Sequence, residues 1–413
     1  MRVARSTTSS IGSVHAPDER YFQPPSGNNV TIVPDSICRA VFTAPAIAAP
    51  EEMPANTPHW SRRRRVNSID SRYTPYMQKI TAPAGASIDA AVAAVNRATL
   101  LALMPAEKAS VDAAYQSAMA AIPDGAAKTD GIAVGEQAAA MILVRAAKDG
   151  ADAPERYHPD TAPGRYVPTT IPVFSMWANR MPWIMETPNQ FRPGPPPQLS
   201  SDTWAKDLQE VKGLGGKTST ARTAEQTNIA RFWEETRPLI YHPVVRSVAT
   251  TPGRTVAQNA RLFAAASMAV DDALIAVFDA KYTYNFWRPV TAIRNEHVAG
   301  ATRVPADLGW SPFIATPMHP EYPCAHCVSS GAIGAVLAAE LGSGPVPTLS
   351  SSSPTADGMV RQWKSIGDFM EEVKMARIYD GVHYRNSAVV GNEMGMKVGA
   401  LVMEKFAKPS PSN

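Results

Sequence analysis

The feature that most constrains the fold is a long helical pattern from about Thr255 to Asp279. Small and apolar residues recur along it with successive spacings of four, three, four and four, at Leu262, Ala266, Ala269, Ala273 and Val277. This spacing places all of them on one face of an α-helix. The pattern therefore predicts a long helix with one buried face.

Similar helical patterns occur along much of the remaining chain. They cover residues 87–104, 104–122, 131–148, 202–212, 223–236, 326–341, 357–375 and 388–405. The first begins at Ser87, a residue suited to an N-cap, and is rich in strong helix formers. Alternation of the kind that strands show is almost absent, so the sequence predicts an all-α protein.

Two segments differ from the helical parts. Residues 1–65 mix Pro, Ser and Asn with short apolar stretches and have no period, which predicts an irregular or disordered N-terminal segment. The Pro-rich residues 154–197 cannot enter helix or sheet interiors, so we expect an extended connector over a helical core. The globular domain is expected to span residues 66–407.

Composition excludes some classes of function. The chain has 413 residues, and 40 basic against 37 acidic residues leave a formal charge of +3. This is too small to indicate a general nucleic-acid-binding surface. The sequence contains no run of 18 or more apolar residues, so no membrane span is predicted. No apolar stretch typical of a signal peptide follows the N-terminus, and the localisation stays open.

The stretch HPEYPCAHC, residues 319–327, contains two His and two Cys. A structural zinc site would need a second Cys or His pair, and none follows at the usual distance. The HC-x5-R loop of cysteine phosphatases would need Arg at the position of Ile333. Three Cys form no disulfide framework. A reactive Cys324 thiol near a helix N-terminus remains an alternative.

The same stretch also fits an anion site. A helix that begins near His326 would offer unpaired N–H groups to an oxyanion. Cations stand in two other stretches, as Lys281 and Arg288 before Pro289, and as Arg377 before His383. If the first stretch is helical, Lys281 and Arg288 lie two turns apart on one face. Gly381 is expected to end the helix of Arg377 and turn His383 inward.

Three motifs occur in order within about a hundred residues: K-x6-R-P at 281–289, P-C-A-H at 323–326 and R-x5-H at 377–383. Together they resemble the vanadium-dependent haloperoxidases and type-2 acid phosphatases, most closely the bacterial haloperoxidase type. The resemblance implies the helical bundle of that superfamily, with a site in its core built from residues 255–395.

The resemblance also implies roles. The three cations would hold the oxygens of vanadate, or of phosphate, which competes for the same site, with help from backbone N–H groups near Cys324 and Ala325. His383 would be the ligand of vanadium, or the nucleophile of a phosphatase. His326 would be the general acid or base.

His319 lies seven residues before His326. Bromoperoxidases of the family carry His at this place, so the resemblance favours bromide, while the alternative is a His that packs beside Tyr322. Two departures from the family pattern stand out. Cys-Ala replaces the usual Ser-Gly before His326, and Ser387 stands where many members have Asp.

Ser387 offers His383 no charged partner. Asp380, or the pair Asp271 and Asp272, could orient the His383 ring instead. For the pair, a solvated helix face is the preferred interpretation.

The resulting hypothesis is a vanadate-dependent haloperoxidase that uses hydrogen peroxide, a halide and an organic acceptor. An acid phosphatase acting on phosphate esters is the alternative. A catalytically silent oxyanion-binding protein is the third hypothesis. The partners expected are small molecules, and the oligomeric state stays open.

Overall fold

The computed structural model describes residues 69, 76–77, 79–168, 170–236, 240–295 and 304–406, so the expectation for residues 1–65 lies outside the described residues. The α-helices are α1 (Ile88–Leu103), α2 (Lys108–Ala120), α3 (Ala126–Ala146), α4 (Asp202–Leu214), α5 (Ala224–Phe232), α6 (His242–Ala249), α7 (Val256–Tyr284), α8 (Pro289–Arg294), α9 (Ala325–Leu341), α10 (Ile366–Tyr379) and α11 (Arg385–Lys405). Short 3-10 turns occupy Pro105–Glu107, Ser175–Asn179 and Pro354–Ala356. One antiparallel hairpin pairs β1 (Leu349–Ser353) with β2 (Met359–Trp363).

The all-α prediction is confirmed. The largest error in a predicted helix start is at α10, which begins later in the chain than expected. The helix expected from Asp357 begins at Ile366, after the N-cap Ser365. Asp357 has φ of 52°, a left-handed conformation that ends a turn, and the next residues pair as β2. In the described part of the chain, no helix is both long and apolar enough to cross a bilayer.

Helix α7 forms the centre of the bundle. It begins at a capping box, in which the Thr255 side chain accepts the N–H of Gln258 and the Gln258 side chain accepts the N–H of Thr255. The predicted face is buried, from Leu262 at 1% exposure to Val277 at 0%. Asn285, with φ of 50°, ends the helix, so Lys281 and Arg288 do not share one helix.

Helices α9 and α11 pack with their backbones in close contact. Gly391, Gly395 and Gly399 recur every four residues on α11, and a Cβ at each would lie within 2.6 Å of a carbonyl oxygen of Cys324, Val328 or Ala332. Only glycine permits this approach. The N-terminal end of α9 is thereby fixed beside the start of α11, where the loop after α10 enters.

The turn after α10 directs the following residues inward, as predicted. Gly381 has φ of 78°, and a Cβ there would lie 2.2 Å from the carbonyl oxygen of Gly215. The two residues that follow are fully buried, with Val382 at 0% and His383 at 1% exposure. Helix α10 therefore delivers Arg377 from its last turn and His383 from the turn beyond it.

The described residues of the connector at 154–197 are irregular apart from one 3-10 turn and a β-bridge between Arg165 and Phe286. A cluster of charges fixes one part of the connector to α7. Arg180 pairs with Asp149 at 2.8 Å and with Asp271 at 2.7 Å. Asp272 accepts the backbone N–H groups of residues 183–185 at 2.6, 2.8 and 2.9 Å. Both aspartates are buried, so their interpretation as a solvated face is wrong.

Replacing Asp272 by alanine is expected to lower the free energy of unfolding by about 3 kcal/mol or more, because three buried N–H groups lose their acceptor. Denaturant unfolding measures this. Asp279→Ala is the matched control, since Asp279 lies on the same helix and pairs with the partly exposed Arg192. It should cost under about 1 kcal/mol. Equal losses of stability in the two variants would contradict the conclusion that Asp272 fixes the connector to α7.

Candidate active site

Three buried cations come from three different parts of the bundle. Lys281 lies in the last turn of α7, Arg288 is the N-cap of α8, and Arg377 lies in the last turn of α10. Each is at most 1% exposed. The extended backbone of Arg288, with φ of −79° and ψ of 154°, is the one expected before Pro289.

The first two cations hold the loop that precedes α9. The Lys281 Nζ donates to the carbonyl oxygens of Pro320 and Glu321, both at 2.8 Å. The Arg288 Nε donates to the carbonyl oxygen of His319 at 3.0 Å, and its Nη1 donates to that of Val382 at 2.8 Å. These bonds fix the cations relative to both histidine-bearing loops.

Arg377 is held from the other side. Its Nη1 donates to the carbonyl oxygen of Trp233 at 2.7 Å and forms an ion pair with Asp380 at 2.6 Å. Its Nε is buried and finds no hydrogen-bond partner within the described chain. Asp380 is therefore a partner of Arg377 rather than of His383, and the suggestion that it orients His383 is wrong.

The buried charges leave the site electropositive. Three cations face two buried carboxylates, those of Glu321 and Asp380. Burial, followed by the charge of Arg288, holds the pKa of Lys281 well below its usual value. Burial also lowers the pKa of Arg288 to about 10. A bound anion would reverse both effects, because opposite charge favours the cationic forms.

His383 has a defined tautomer. Its Nδ1 lies 2.6 Å from the Glu321 Oε1, and its Nε2 lies 3.2 Å from the Arg288 Nη1. Because arginine only donates, Nε2 is the acceptor and Nδ1 carries the proton to Glu321. Burial and the charge of Arg288 hold the pKa of His383 well below its usual value, so the ring is neutral. An electron pair on Nε2 thus faces the cations.

Glu321 is the functional residue that the sequence analysis missed. Its carboxylate orients His383 and also accepts the N–H of Tyr384 at 3.2 Å. Burial raises its pKa to about 7, while the nearby Ser387 hydroxyl is among the groups that lower it. The suggested replacement by Asp271 or Asp272 is wrong, since both bind the connector. Glu321 is the only acidic residue in the stretch HPEYPCAHC, and this was the one feature of the sequence that could have indicated it.

His319 contacts Arg288 rather than Tyr322. Its Nδ1 lies 3.1 Å from the Arg288 Nη2, which is the donor, and its ring meets Phe278 edge-on at 5.2 Å. Burial, followed by the charge of Lys281, holds the pKa of His319 well below its usual value. A neutral ring therefore fixes the second nitrogen of the Arg288 guanidinium.

His326 lies in the first turn of α9, on the Arg377 side. Its Nε2 lies 3.1 Å from the carbonyl oxygen of Glu235, so Nε2 donates. No described residue hydrogen bonds to its Nδ1. Burial and then the charge of Arg377 hold the pKa of His326 well below its usual value. The ring is a neutral base with Nδ1 available.

The Cys324 and Cys327 sulfurs are joined in a disulfide, so the alternative of a reactive Cys324 thiol is wrong. The structure also bonds the backbone N–H of Cys324 to the Ser387 carbonyl oxygen at 3.2 Å. That N–H group is not available for an anion. The N–H groups of Ala325 and His326 lie in the first helical turn, where a helix supplies no acceptor.

Comparison with known proteins agrees with this arrangement. The family model named VCPO second helical-bundle domain matches residues 261–410, which carry all three motifs. The likeness to this domain family therefore covers the part of the chain that carries the site. No curated protein matches the sequence significantly.

Solved structures of bacterial vanadium-dependent peroxidases have a similar fold over nearly the whole chain. A bacterial vanadium-dependent iodoperoxidase is 23% identical, with 92% of this chain and 91% of that chain covered and a TM-score of 0.70. Holo- and apo-type structures of a bacterial vanadium-dependent chloroperoxidase are each 17% identical, with TM-scores of 0.65 and 0.64. They cover 90% and 93% of this chain, and 90% and 96% of their own chains.

Because Ser387 offers His383 no charged group, the orientation of the His383 ring is expected to depend on Glu321. Glu321→Gln should reduce activity by about 10- to 100-fold, since a neutral amide is a weaker acceptor for the Nδ1 proton than a carboxylate. Nitrogen NMR would show a weaker hydrogen bond at the His383 Nδ1 in the variant. Glu340→Gln, at an ion pair with Arg254 outside the site, should change neither the activity nor the Nδ1 resonance. An unchanged Nδ1 resonance and unchanged activity in Glu321→Gln would contradict the assignment.

Proposed function

We propose that the protein is a vanadate-dependent haloperoxidase that oxidises bromide with hydrogen peroxide and halogenates an organic acceptor. The observation that carries the proposal is the neutral Nε2 of His383, which contacts Arg288 in a buried site that also holds the charges of Lys281 and Arg377. A neutral nitrogen beside buried positive charge suits covalent attachment to an oxyanion. The names of the structural neighbours support the same class of reaction.

The residues fit vanadate. The site has more positive than negative charge, and the buried Arg377 Nε still needs an acceptor. Lys281, Arg288 and Arg377 would hold the oxygens of the anion, with the free N–H groups of the first turn of α9. His383 would bind the metal through Nε2. The chemistry that vanadate supplies is activation of hydrogen peroxide for oxygen transfer to a halide.

The chain's own residues prepare this chemistry. Glu321 accepts the Nδ1 proton of His383 and so keeps the electron pair on Nε2. His326 accepts the proton of the incoming peroxide at Nδ1 and returns it when the oxidised halide leaves. The carbonyl oxygen of Glu235 holds the His326 ring while its Nδ1 changes protonation.

Bromide is the proposed halide because His319 occupies the position at which the family's bromoperoxidases carry His. The neutral ring of His319 presents no charge of its own to a halide, but it holds Arg288 in place. Iodide and chloride belong in the same assay, since the neighbouring structures are of an iodoperoxidase and a chloroperoxidase.

Bromination of a chromogenic acceptor by the purified full chain tests the proposal. Turnover should require vanadate, hydrogen peroxide and bromide together, and excess phosphate should suppress it. Absence of turnover with vanadate occupancy confirmed by metal analysis would reject it. Hydrolysis of p-nitrophenyl phosphate is measured on the same sample. That reaction would identify the phosphatase alternative, in which His383 attacks phosphorus.

Anion binding is expected to take up protons. The pKa values of His326, Lys281 and Arg288 are lowered partly by neighbouring positive charge, and a bound dianion raises each of them. Affinity should therefore fall as pH rises, by about tenfold per pH unit for each proton taken up. Titration calorimetry with sulfate between about pH 6 and about pH 9 measures it, since sulfate keeps its charge there.

Buffers that differ in ionisation enthalpy give the number of protons directly. Positive proton uptake is the expected sign at every pH in this range. Affinity that stays constant or rises with pH would contradict the electrostatic account of the site.

A further inference from the structure

A cavity of about 410 Å³ lies outside the set of residues assigned so far. Its wall comes from three parts of the chain: α5 with the turn after it, the loop at residues 313–315, and the connection between β1 and β2 at residues 355–359. Five polar and five apolar residues line it, and most of the exposed lining surface is polar. A cavity of this volume accommodates a small organic molecule.

One wall of the cavity adjoins the active site through the turn after α5. Glu234, which lines the cavity, stands between Trp233 and Glu235. The Trp233 carbonyl oxygen accepts a hydrogen bond from Arg377, and that of Glu235 accepts one from His326. Three consecutive residues thus connect the cavity with two groups of the oxyanion site.

The opposite wall adjoins the same groups. The backbone N–H groups of Phe313 and Ile314 donate to the carbonyl oxygen of Asp380 at 3.0 and 3.3 Å. The Asp380 carboxylate pairs with Arg377. The residues of the cavity wall are therefore next to those that contact Arg377 and His326, on that side of the oxyanion site.

The Phe313 ring of the lining lies near two cations, of which Arg231 also lines the cavity. The Arg222 guanidinium lies 4.3 Å from the centroid of the Phe313 ring, and that of Arg231 lies 5.9 Å from it. Arg222 is held by backbone carbonyl oxygens, three of which bind its Nη1. Arg231 is exposed and contributes to the lining, so it can stack on a bound ring as well.

The Glu234 carboxylate belongs to the polar part of the cavity lining. Glu234 is half-buried, and burial raises its pKa above the usual value, with the charges of Arg377 and Arg231 acting against this. Within the described ranges, no donor hydrogen bonds to its carboxylate. A ligand hydroxyl would provide that donor, since a partly desolvated carboxylate gains most from a hydrogen bond.

We infer that this cavity binds a hydroxylated aromatic molecule, with its ring against Phe313 and Arg231 and its hydroxyl donating to Glu234. The inference rests on the proposed function in making this molecule the organic acceptor. Its electron-rich ring attacks the bromine of hypobromous acid, so a C–Br bond forms as the Br–O bond breaks. The proton lost from that ring carbon and the released hydroxide form water.

Binding is tested without turnover, by calorimetry of p-cresol with the full chain free of vanadate. Ala315→Trp places a large ring in the cavity from an exposed position and should weaken p-cresol binding by about tenfold or more. Glu234→Gln should weaken p-cresol by about tenfold and leave toluene, which lacks the hydroxyl, unchanged. Leu308→Trp, at a position 77% exposed and outside the lining, is the control and should have no effect.

Equal p-cresol affinity in the wild type and Ala315→Trp would overturn the inference, and so would a wild type that does not bind p-cresol. Sulfate affinity is measured on Ala315→Trp and Leu308→Trp, which change no charge, and should stay unchanged in both, which shows that the oxyanion site is intact. Because the assay needs neither vanadate nor peroxide, its outcome is separate from that of the bromination assay.

Discussion

His383→Ala is expected to reduce vanadate-dependent bromination by about a thousandfold or more. The substitution removes the nitrogen that faces the cations. The other two histidines lie in different surroundings, since the His319 Nδ1 accepts from the other guanidinium nitrogen of Arg288 and the His326 Nε2 donates to the Glu235 carbonyl oxygen. Steady-state bromination at saturating vanadate measures the loss. Added imidazole should restore part of the activity, which a merely unfolded protein would not show.

His242→Ala is the matched control for this substitution. His242 lies on α6 and packs edge-on against Phe263 at 6.1 Å, away from the motifs of the site. Its loss removes a partly buried ring and should leave bromination within about twofold of the wild type. A His383→Ala protein that retained most of its activity would show that the reaction does not use Nε2.

Arg288→Lys is expected to weaken binding of vanadate or phosphate by about a hundredfold, although the formal charge is kept. The Arg288 guanidinium binds two backbone carbonyl oxygens and two histidine rings at once. A single ammonium group cannot reach all four, so the cation and both rings lose their fixed positions. Calorimetric titration with phosphate measures the change in affinity.

Arg294→Lys provides the control within the same short helix. Arg294 binds the Trp310 carbonyl oxygen at 2.7 Å and the Ser311 hydroxyl at 3.1 Å, outside the oxyanion site. The Arg294→Lys substitution should leave phosphate affinity unchanged. Comparable weakening in both variants would mean that Arg288 acts through folding rather than through the anion.

Much of the helical architecture could be predicted from the sequence because its signals are local. The spacing from Leu262 to Val277 determines which face of α7 is buried, and Gly381 alone indicates the turn that buries His383. The β1–β2 hairpin could not be predicted in this way. Its first strand is a serine run with little apolar alternation, and its burial comes from packing against other parts of the chain.

The site could be predicted in its cations and histidines but not in its hydrogen bonds. Motif order is enough to group Lys281, Arg288 and Arg377, since each type of residue suits an oxyanion. Which carboxylate meets His383 depends on how the loop at 319–323 folds over Arg288, and no spacing in the sequence encodes that. Glu321 was therefore missed, and the N–H group of Cys324 was assigned to an anion although it binds Ser387.

The burial of Asp271 and Asp272 also could not be predicted from the sequence. Two adjacent acidic residues on a helix usually indicate a solvated face. Here Arg180 and three backbone N–H groups come from residues about ninety positions away along the chain. A partner so distant in sequence leaves no periodic signal in the helix itself.

The most direct test of the central claim is a crystal structure of the full chain grown with orthovanadate. The account predicts vanadium at bonding distance from the Nε2 of His383, with the vanadate oxygens contacting Lys281, Arg288 and Arg377. Vanadate bound elsewhere, or bound to these cations with no bond to His383, would contradict it.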